Sequence, residues 1–185
     1  TGVQTCALPI FSRGRIELGF GRGSSPTELS YFGGDPKNAQ AVYEESMEVI
    51  VQALTQPTLN YSGKHYRFND VPIELKPLQQ PAPTLWYGVH GSDSAERAAR
   101  RGLNVISLDP PGITTTLFQH FKKAWGETRA NAPLPLMGLG RFVVVGDSDA
   151  QAQAIAARAY PRWHRNFSYL HTRAGYIPSH PRPSV

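Results

Sequence analysis

The sequence predicts an α/β fold built on a parallel sheet. Short β-prone segments alternate with helical segments four times along the chain. Apolar residues make up 40% and charged residues 18% of the 185 residues, as in an ordinary globular protein. Alternation of this kind joins parallel strands by crossover helices. Two arrangements remain open: a doubly wound open sheet, and a (β/α)8 barrel, which typically needs about 250 residues and of which the four strand–helix pairs would supply about half.

The first strand is predicted at Arg15–Phe20, where polar and apolar side chains alternate. A loop rich in glycine and serine follows from Gly21 to Gly34. Asp35 and Pro36 are typical of a helix start, and the helix is predicted to reach about Leu54. Its apolar face repeats at spacings of 4, 3 and 4 through Tyr43, Met47, Ile50 and Leu54.

A hairpin is predicted next, over Leu59–Phe68 with its turn at Ser62 and Gly63, followed by a proline-rich connector. We interpret this excursion as a loop decoration of the same domain. The second core strand is predicted at the apolar segment Thr84–Gly88. Asp93 and Glu96 form a D-x-x-E capping pattern for a helix that we expect to end at Gly102.

The last two strand–helix pairs continue the same alternation of strand and helix. Strands are predicted at Asn104–Leu108 and Arg141–Val145, with a helix from about Thr115 to Trp125 between them. Ser148 and Gln151 are expected to cap a final helix that ends near Tyr160, before Pro161. We therefore assign residues 11–167 to the domain and residues 168–185 to an irregular, proline-rich tail.

Charge and composition exclude several functional classes. The net charge is +5, but the basic residues are scattered, and the cluster Arg97, Arg100 and Arg101 is expected on a solvated helix face, so nucleic acid is not expected as a partner. No apolar run is long enough to cross a membrane. The six histidines lack metal-ligand spacing and have no partner cysteine beyond Cys6, so no metal is expected.

The first ten residues, TGVQTCALPI, read like a translated sequencing adapter. We expect them to be foreign to the fold and the reading frame to begin inside a gene. Any localisation signal would have been lost with the missing start, and the parent protein is expected in the cytoplasm.

Two segments have the residue types of an anion site. In GRGSS, Gly21 and Gly23 let backbone N–H groups approach an anion, and Arg22 offers a bidentate fork for phosphate. The spacing matches neither G-x-G-x-x-G nor the P-loop. The alternative is a mobile loop with a solvated arginine.

The second segment leads into a helix start, where free N–H groups and the helix dipole favour an anion. It contains His90, Gly91, Ser92 and Ser94, and the two serine hydroxyls are candidate donors. The alternatives are that Asp93 only caps the helix and that His90 is a structural hydrogen-bonding group.

Four segments resemble the luciferase-like monooxygenase family. RIELGFGRGSSPTELSYFG is similar to the fourth barrel strand and its loop, and the stretch from ALTQPTLNYSGKHYRF to TLWYG is similar to the hairpin insertion and fifth strand. SAERAARRGLNVIS resembles the fifth helix and sixth strand, and RFVVVGDSDAQAQAIAARAY the seventh strand and its helix. The resemblance implies a partial (β/α)8 barrel, about strands four to seven with their helices.

The resemblance also implies a function for the parent protein. It is expected to be a flavin-dependent monooxygenase that uses reduced FMN and O2 on a small organic substrate, with a flavin reductase as a partner and a homo-oligomeric state. By position, Arg22 between Gly21 and Gly23 would bind the flavin phosphate, and residues 90–92 and 94 would contact flavin and phosphate. The catalytic residues are expected in strands outside this sequence, so the chain alone is expected to be inactive. The alternatives are a deazaflavin-dependent oxidoreductase, a non-enzymatic α/β binding module and an inactive fragment.

Overall fold

The computed structural model describes residues 11–23, 26–173 and 175. The expectations for residues 1–10, and for the tail beyond residue 175, lie outside this range. The described chain forms two compact units, one of residues 11–22 and 40–140 and one of residues 23, 26–39 and 141–175 without 174. The first unit carries the sheet, Gly21 and Arg22 of the first candidate anion segment, and the whole of the second.

A four-stranded sheet organises the first unit. Its strands, in sheet order, are β1 (Glu17–Phe20), β4 (Thr84–Gly88), β5 (Asn104–Ser107) and β6 (Met137–Leu139). All three neighbouring pairs are parallel, with Phe20 opposite Tyr87 and Gly88 opposite Ile106. The predicted parallel sheet is therefore confirmed.

Helices cover one face of this sheet. They are α2 (Ala39–Thr55), α3 (Ser92–Arg101) and α4 (Pro111–Arg129). Alternate residues of the strands point toward them, as period-2 geometry requires, and bury an apolar core. The buried core consists of Met47, Tyr87, Val89, Ala95, Ala98, Ala99, Leu103, Val105, Leu117, Phe121, Ala124 and Trp125.

The other face of the sheet is open and partly apolar. A side chain added at Gly138 of β6 would meet the Trp86 ring at 3.2 Å, so Trp86 lies over the neighbouring strands on this face. The Trp86 indole N–H donates to the Glu17 carboxylate of β1. Ile106 is 38% exposed and Leu108 is 55% exposed. A closed barrel would turn this face toward its interior, where such side chains fill the core.

The predicted hairpin is confirmed and is longer than the sequence indicates. It comprises β2 (Thr58–Ser62) and β3 (Arg67–Pro72), which pair antiparallel. Gly63 N–H donates to the Tyr66 carbonyl at 2.9 Å, so the turn begins where it was predicted. Glu45 of α2 accepts hydrogen bonds from the N–H groups of Lys64, His65 and Tyr66, which fixes the turn on the helix.

The loop predicted over Gly21–Gly34 contains a short helix, α1 (Pro26–Tyr31). The expected start of the next helix was also too early. Asp35 accepts from Lys37 N–H at 2.9 Å and from the Asn38 amide at 3.0 Å, which forms a turn. The regular helix α2 begins four residues later, at Ala39.

The fourth strand was predicted in the wrong place. β6 is Met137–Leu139, whereas Arg141–Val145 forms no strand. The reason is the pairing partner: β5 ends at Ser107, opposite Leu139, and its ladder closes where Gly140 N–H donates to the Ser107 carbonyl at 3.0 Å. A strand needs a neighbour for its hydrogen bonds, and beyond this point β5 has turned away.

The final helix, α5 (Asp149–Arg173), continues past Pro161, so the predicted end near Tyr160 was wrong, and residues 168–173 are helical and not irregular. Aromatic side chains stack along it, with ring centroids 5.0 Å apart for both Trp163–Phe167 and Phe167–His171. Contacts at this i, i+4 spacing stabilise a helix and help to offset the hydrogen bond that a proline removes. The predicted cap is confirmed, since Gln151 N–H donates to the Ser148 hydroxyl at 3.3 Å.

Candidate functional site at the carboxyl edge of the sheet

Both candidate segments leave the sheet at the same edge. Gly21 and Arg22 directly follow β1, and residues 89–92 directly follow β4. Because β1 and β4 are parallel neighbours, their carboxyl ends lie side by side. We call residues 21–23 the β1 loop and residues 89–92 the β4 loop. Ligand sites of parallel α/β folds form at this edge, so the position of both loops is that of a binding site.

Arg22 in the β1 loop is exposed and lightly held. Its guanidinium donates to the Gln40 side-chain oxygen at 3.4 Å, and the Gln40 amide donates to Glu44 at 2.7 Å. Gly23 has a φ of +91°, a conformation that favours glycine. A side chain added at Gly21 would meet no heavy atom within 4 Å, so the backbone there is open to a ligand.

The β4 loop is held by Ser94, whose hydroxyl accepts from Gly91 N–H at 3.1 Å and from His90 N–H at 3.3 Å, and donates to the Gly91 carbonyl at 2.7 Å. Gly91 is the N-cap of α3, so the prediction that Asp93 caps this helix was wrong. The predicted end is confirmed, because Gly102 caps it in the left-handed conformation. Ser94 therefore shapes the loop, and its hydroxyl proton is already used within it.

The first turn of α3 offers the backbone donors that the sequence predicted. The N–H groups of Ser92 and Asp93 have no acceptor within the helix, as at every helix start. The helix dipole also places partial positive charge there. A side chain added at Gly88 or Gly91 would meet no heavy atom within 4 Å, so this backbone is approachable as well.

His90 is paired in a way that sequence reasoning missed. Its Nδ1 lies 3.1 Å from Oδ2 of Asp109, which follows β5. Asp109 in turn bonds to Ser107 and Thr114, two buried residues. Two polar residues at the end of a strand were a usable sequence signal, because the carboxyl ends of neighbouring parallel strands lie at the same edge. Here they are Ser107, the last residue of β5, and Asp109, two residues beyond it.

These residues fit a phosphate-bearing group. Arg22 supplies positive charge, the α3 start supplies N–H donors, and the glycines leave the backbone accessible. Within the ranges that the structure describes, no three His, Cys, Asp or Glu side chains are grouped as a metal site would require. In the same ranges, no helix combines the length and apolar character needed to cross a membrane.

A parallel α/β sheet whose carboxyl edge carries residues suited to an anion is typical of cofactor-binding enzymes, and comparison of the sequence with known families identifies the family. The profile of the luciferase-like monooxygenase family matches residues 3–182. The chain belongs to the luciferase-like monooxygenase family. The match extends over residues 3–10 as well. The expectation that residues 1–10 are foreign to the fold stays a prediction.

Two curated relatives illustrate the likeness. The chain is 38% identical over 169 residues to the uncharacterized protein y4wF of Sinorhizobium fredii, covering 91% of this chain and 49% of the relative. It is 27% identical over 158 residues to the FMNH(2)-dependent dimethylsulfone monooxygenase of Pseudomonas putida, covering 83% and 43%. The chain thus spans about half the length, or less, of these curated relatives.

Solved structures support the fold. Monooxygenase RslO1 from Streptomyces bottropensis matches with a TM-score of 0.81 and 20% identity, over 95% of this chain and 57% of that one. The oxygenating constituent of 3,6-diketocamphane monooxygenase from Pseudomonas putida, in complex with FMN, gives 0.70 and 18%, over 98% and 57%. An F420-dependent secondary alcohol dehydrogenase gives 0.70 and 15%, over 84% and 48%. The fold is that of a partial (β/α)8 barrel, in agreement with the sequence-based expectation.

Proposed function

We propose that the protein is an FMN-dependent monooxygenase that oxidises a small organic substrate with O2. The observation that carries the proposal is the side-by-side exit of the β1 and β4 loops, one with an arginine and the other leading into a helix start. A phosphate is the ligand group that such a pair recognises best. The relative that uses FMNH2 supports reduced FMN as the phosphate-bearing group.

Each site residue has a distinct role in this proposal. Arg22 binds the flavin phosphate, with the backbone of Gly21 and Gly23 close to it. Ser92 at the start of α3 supplies an N–H donor, while Gly91 allows close approach of the ligand. Bound reduced flavin supplies the electrons that activate O2. The catalytic residues, a small-molecule substrate, a reductase that delivers reduced flavin and a homo-oligomeric state belong to the proposal for the whole protein.

A deazaflavin-dependent oxidoreductase is the second candidate. The observation in its favour is the likeness to two F420-dependent enzymes, the alcohol dehydrogenase and a tetrahydromethanopterin reductase from Methanopyrus kandleri with a TM-score of 0.64. Titration of the protein with FMN and with F420 separates the two candidates. Tighter binding of F420 would replace the FMN proposal.

Substitution of Arg22 by alanine tests the phosphate contact. The protein is expressed from the whole reading frame that contains this chain, and FMN and riboflavin are titrated by fluorescence quenching. A charge-assisted hydrogen bond contributes about 1.5–3 kcal/mol. Arg22→Ala should therefore weaken FMN binding about 10- to 150-fold, at about 1.4 kcal/mol per decade. Riboflavin, which lacks the phosphate, should bind the variant and the wild type almost equally.

Arg67 on β3 provides the matched control, since it is also an exposed arginine but lies on the hairpin. Arg67→Ala should leave both affinities unchanged. If Arg22→Ala lost equal affinity for FMN and for riboflavin, Arg22 would shape its loop and would not bind the phosphate. If Arg67→Ala weakened FMN binding as much as Arg22→Ala does, the loss would come from the lower net charge of the protein and not from a contact between Arg22 and the phosphate.

A further inference from the structure

His90 and Asp109 form a polar pair across two neighbouring strands. His90 follows β4, and Asp109 follows β5. The Nδ1–Oδ2 distance is 3.1 Å, and the His90 side chain is 65% exposed whereas that of Asp109 is 16% exposed. The His90 imidazole therefore lies exposed at the carboxyl edge of the sheet, and the carboxylate that it contacts is less exposed.

The carboxylate itself is anchored from the core. The Ser107 hydroxyl donates to Asp109 Oδ2 at 3.1 Å and accepts from Asp109 N–H at 3.1 Å. The Thr114 hydroxyl donates to the Asp109 carbonyl at 2.7 Å. Ser107 is 0% exposed and Thr114 is 3% exposed. The orientation of Asp109 is thus set by buried groups of β5 and α4.

An ionised carboxylate can only accept hydrogen bonds. The contact with Asp109 therefore requires a proton on Nδ1 of His90, and in a neutral ring Nε2 then carries the lone pair. A carboxylate behind a histidine sets its tautomer and ring orientation in the same way at many metal and catalytic sites. At this edge, Nε2 becomes a hydrogen-bond acceptor.

We propose that Asp109 is a positioning residue that fixes the Nδ1–H tautomer of His90, so that Nε2 accepts a hydrogen bond from a hydroxyl or N–H group of the flavin. This inference rests on the proposed function for the identity of the ligand. At a pH of about 8.5, the phosphate of FMN is a dianion and has no proton to donate to a neutral acceptor. His90 accordingly contacts the ribityl or ring part of the flavin, whereas Arg22 binds the phosphate.

The chain contains a matched control pair. His120 Nδ1 lies 3.2 Å from the Glu96 carboxylate, on helices α4 and α3 and away from the loop ends. The same carboxylate–imidazole chemistry is present there without a place at the ligand edge. Variants of one pair should leave the other pair unchanged.

The tautomer is measured by two-bond 1H–15N correlation NMR of the imidazole rings, at about pH 8.5, where an ordinary histidine is neutral. The protein is 15N-labelled and expressed from the whole reading frame. His90 should show the Nδ1–H pattern in the wild type. Asp109→Ala should convert it to predominantly Nε2–H while His120 stays unchanged. Glu96→Ala should alter His120 and not His90.

The wild-type spectrum decides the positioning role even if Asp109→Ala fails to fold. An Nε2–H pattern for His90 in the wild type would overturn it. An unchanged Nδ1–H pattern in a folded Asp109→Ala variant would overturn it as well. Asp109→Asn keeps an acceptor oxygen and should retain part of the Nδ1–H population.

Flavin titrations test the contact independently of the tautomer. His90→Ala and Asp109→Ala should weaken riboflavin and FMN equally, by about 2- to 10-fold, the value of one neutral hydrogen bond. A loss confined to FMN would mean that His90 reads phosphate and would overturn the contact. If the wild type binds neither flavin, the proposed function fails together with this contact, whereas the positioning role is still judged by NMR.

Discussion

The β1 loop and the β4 loop leave the sheet side by side, but they are held in different ways. In the β4 loop, Ser94 holds the backbone of His90 and Gly91, and Asp109 holds the His90 side chain. In the β1 loop, the hydrogen bond of the Arg22 side chain within the described part of the chain is an exposed contact of 3.4 Å to Gln40. One side of the candidate site is built in advance, and the other can adjust to its ligand.

Because of this difference, we expect the two loops to contribute to flavin binding in different ways. A pre-organised loop loses little conformational entropy on binding, so its hydrogen bonds contribute more to affinity and to orientation. A long exposed arginine contributes charge, which tolerates small changes in geometry. The β4 loop is therefore expected to set where the flavin lies, and Arg22 to add the attraction for its phosphate.

The largest effect expected in the absence of flavin is on stability, from Ser94→Ala. The variant removes the hydroxyl in the first turn of α3 that accepts hydrogen bonds from the N–H groups of His90 and Gly91. Loss of a hydrogen bond of this kind costs about 0.5–1.5 kcal/mol of the free energy of unfolding, which chemical denaturation measures. Ser92→Ala is the matched control and should change stability by less than about 0.5 kcal/mol. Equal stability of Ser94→Ala and the wild type would remove the contrast between the two loops.

Local sequence patterns were sufficient for most of the architecture. The apolar segment Thr84–Gly88 forms the predicted strand, and the helix predicted from about Thr115 to Trp125 lies within α4. Where the local sequence patterns predicted the wrong strand, the pairing between neighbouring strands determined which segment became one. Arg141–Val145 has the stronger β character, yet the short Met137–Leu139 forms the strand, because it lies beside β5. The six-residue α1 is too short for propensity to reveal.

The candidate site could be predicted from the sequence to about the same extent as the architecture. The two loops and their common edge followed from strand order, because residues after parallel strands gather at one end. The pairing of His90 with Asp109 did not, because it joins residues 19 apart through the register of β4 on β5. The role of Ser94 was also missed, since the capping pattern of Asp93 and Glu96 is shifted by two residues from the true N-cap, Gly91.

A smaller effect is expected from Gln40→Ala, which removes the acceptor beside Arg22. The hydrogen bond is long and exposed, so its loss should weaken FMN binding by no more than about threefold and leave riboflavin unchanged. Gln119→Ala, at an exposed position of α4, serves as the control in the same titration. A loss above tenfold would indicate that Gln40 contacts the ligand, and the β1 loop would then be more organised than its contacts suggest.

The smallest effect concerns pH and compares the β4 loop with the hairpin turn. Burial opposes ionisation of Glu45, but hydrogen bonds from the N–H groups of His65, Lys64 and Tyr66 outweigh it and lower its pKa below the ordinary value of 4.5. A lowered folded-state pKa contributes stability that is present above 4.5 and is lost as the pH falls through the folded value. The backbone of His90 and Gly91 in the β4 loop is held by the Ser94 hydroxyl, which does not titrate in this range.

Amide 1H–15N spectra recorded from about pH 6 to about pH 3 should therefore separate the two turns. The Lys64, His65 and Tyr66 signals should move together, with a midpoint below 4.5, while Gly91 stays nearly constant. Glu45→Gln should abolish the movement in the hairpin turn, because the amide cannot ionise. If Gly91 moved with the same midpoint, a carboxylate and not Ser94 would be controlling the β4 loop, and the distinction between charged and neutral anchoring would fail.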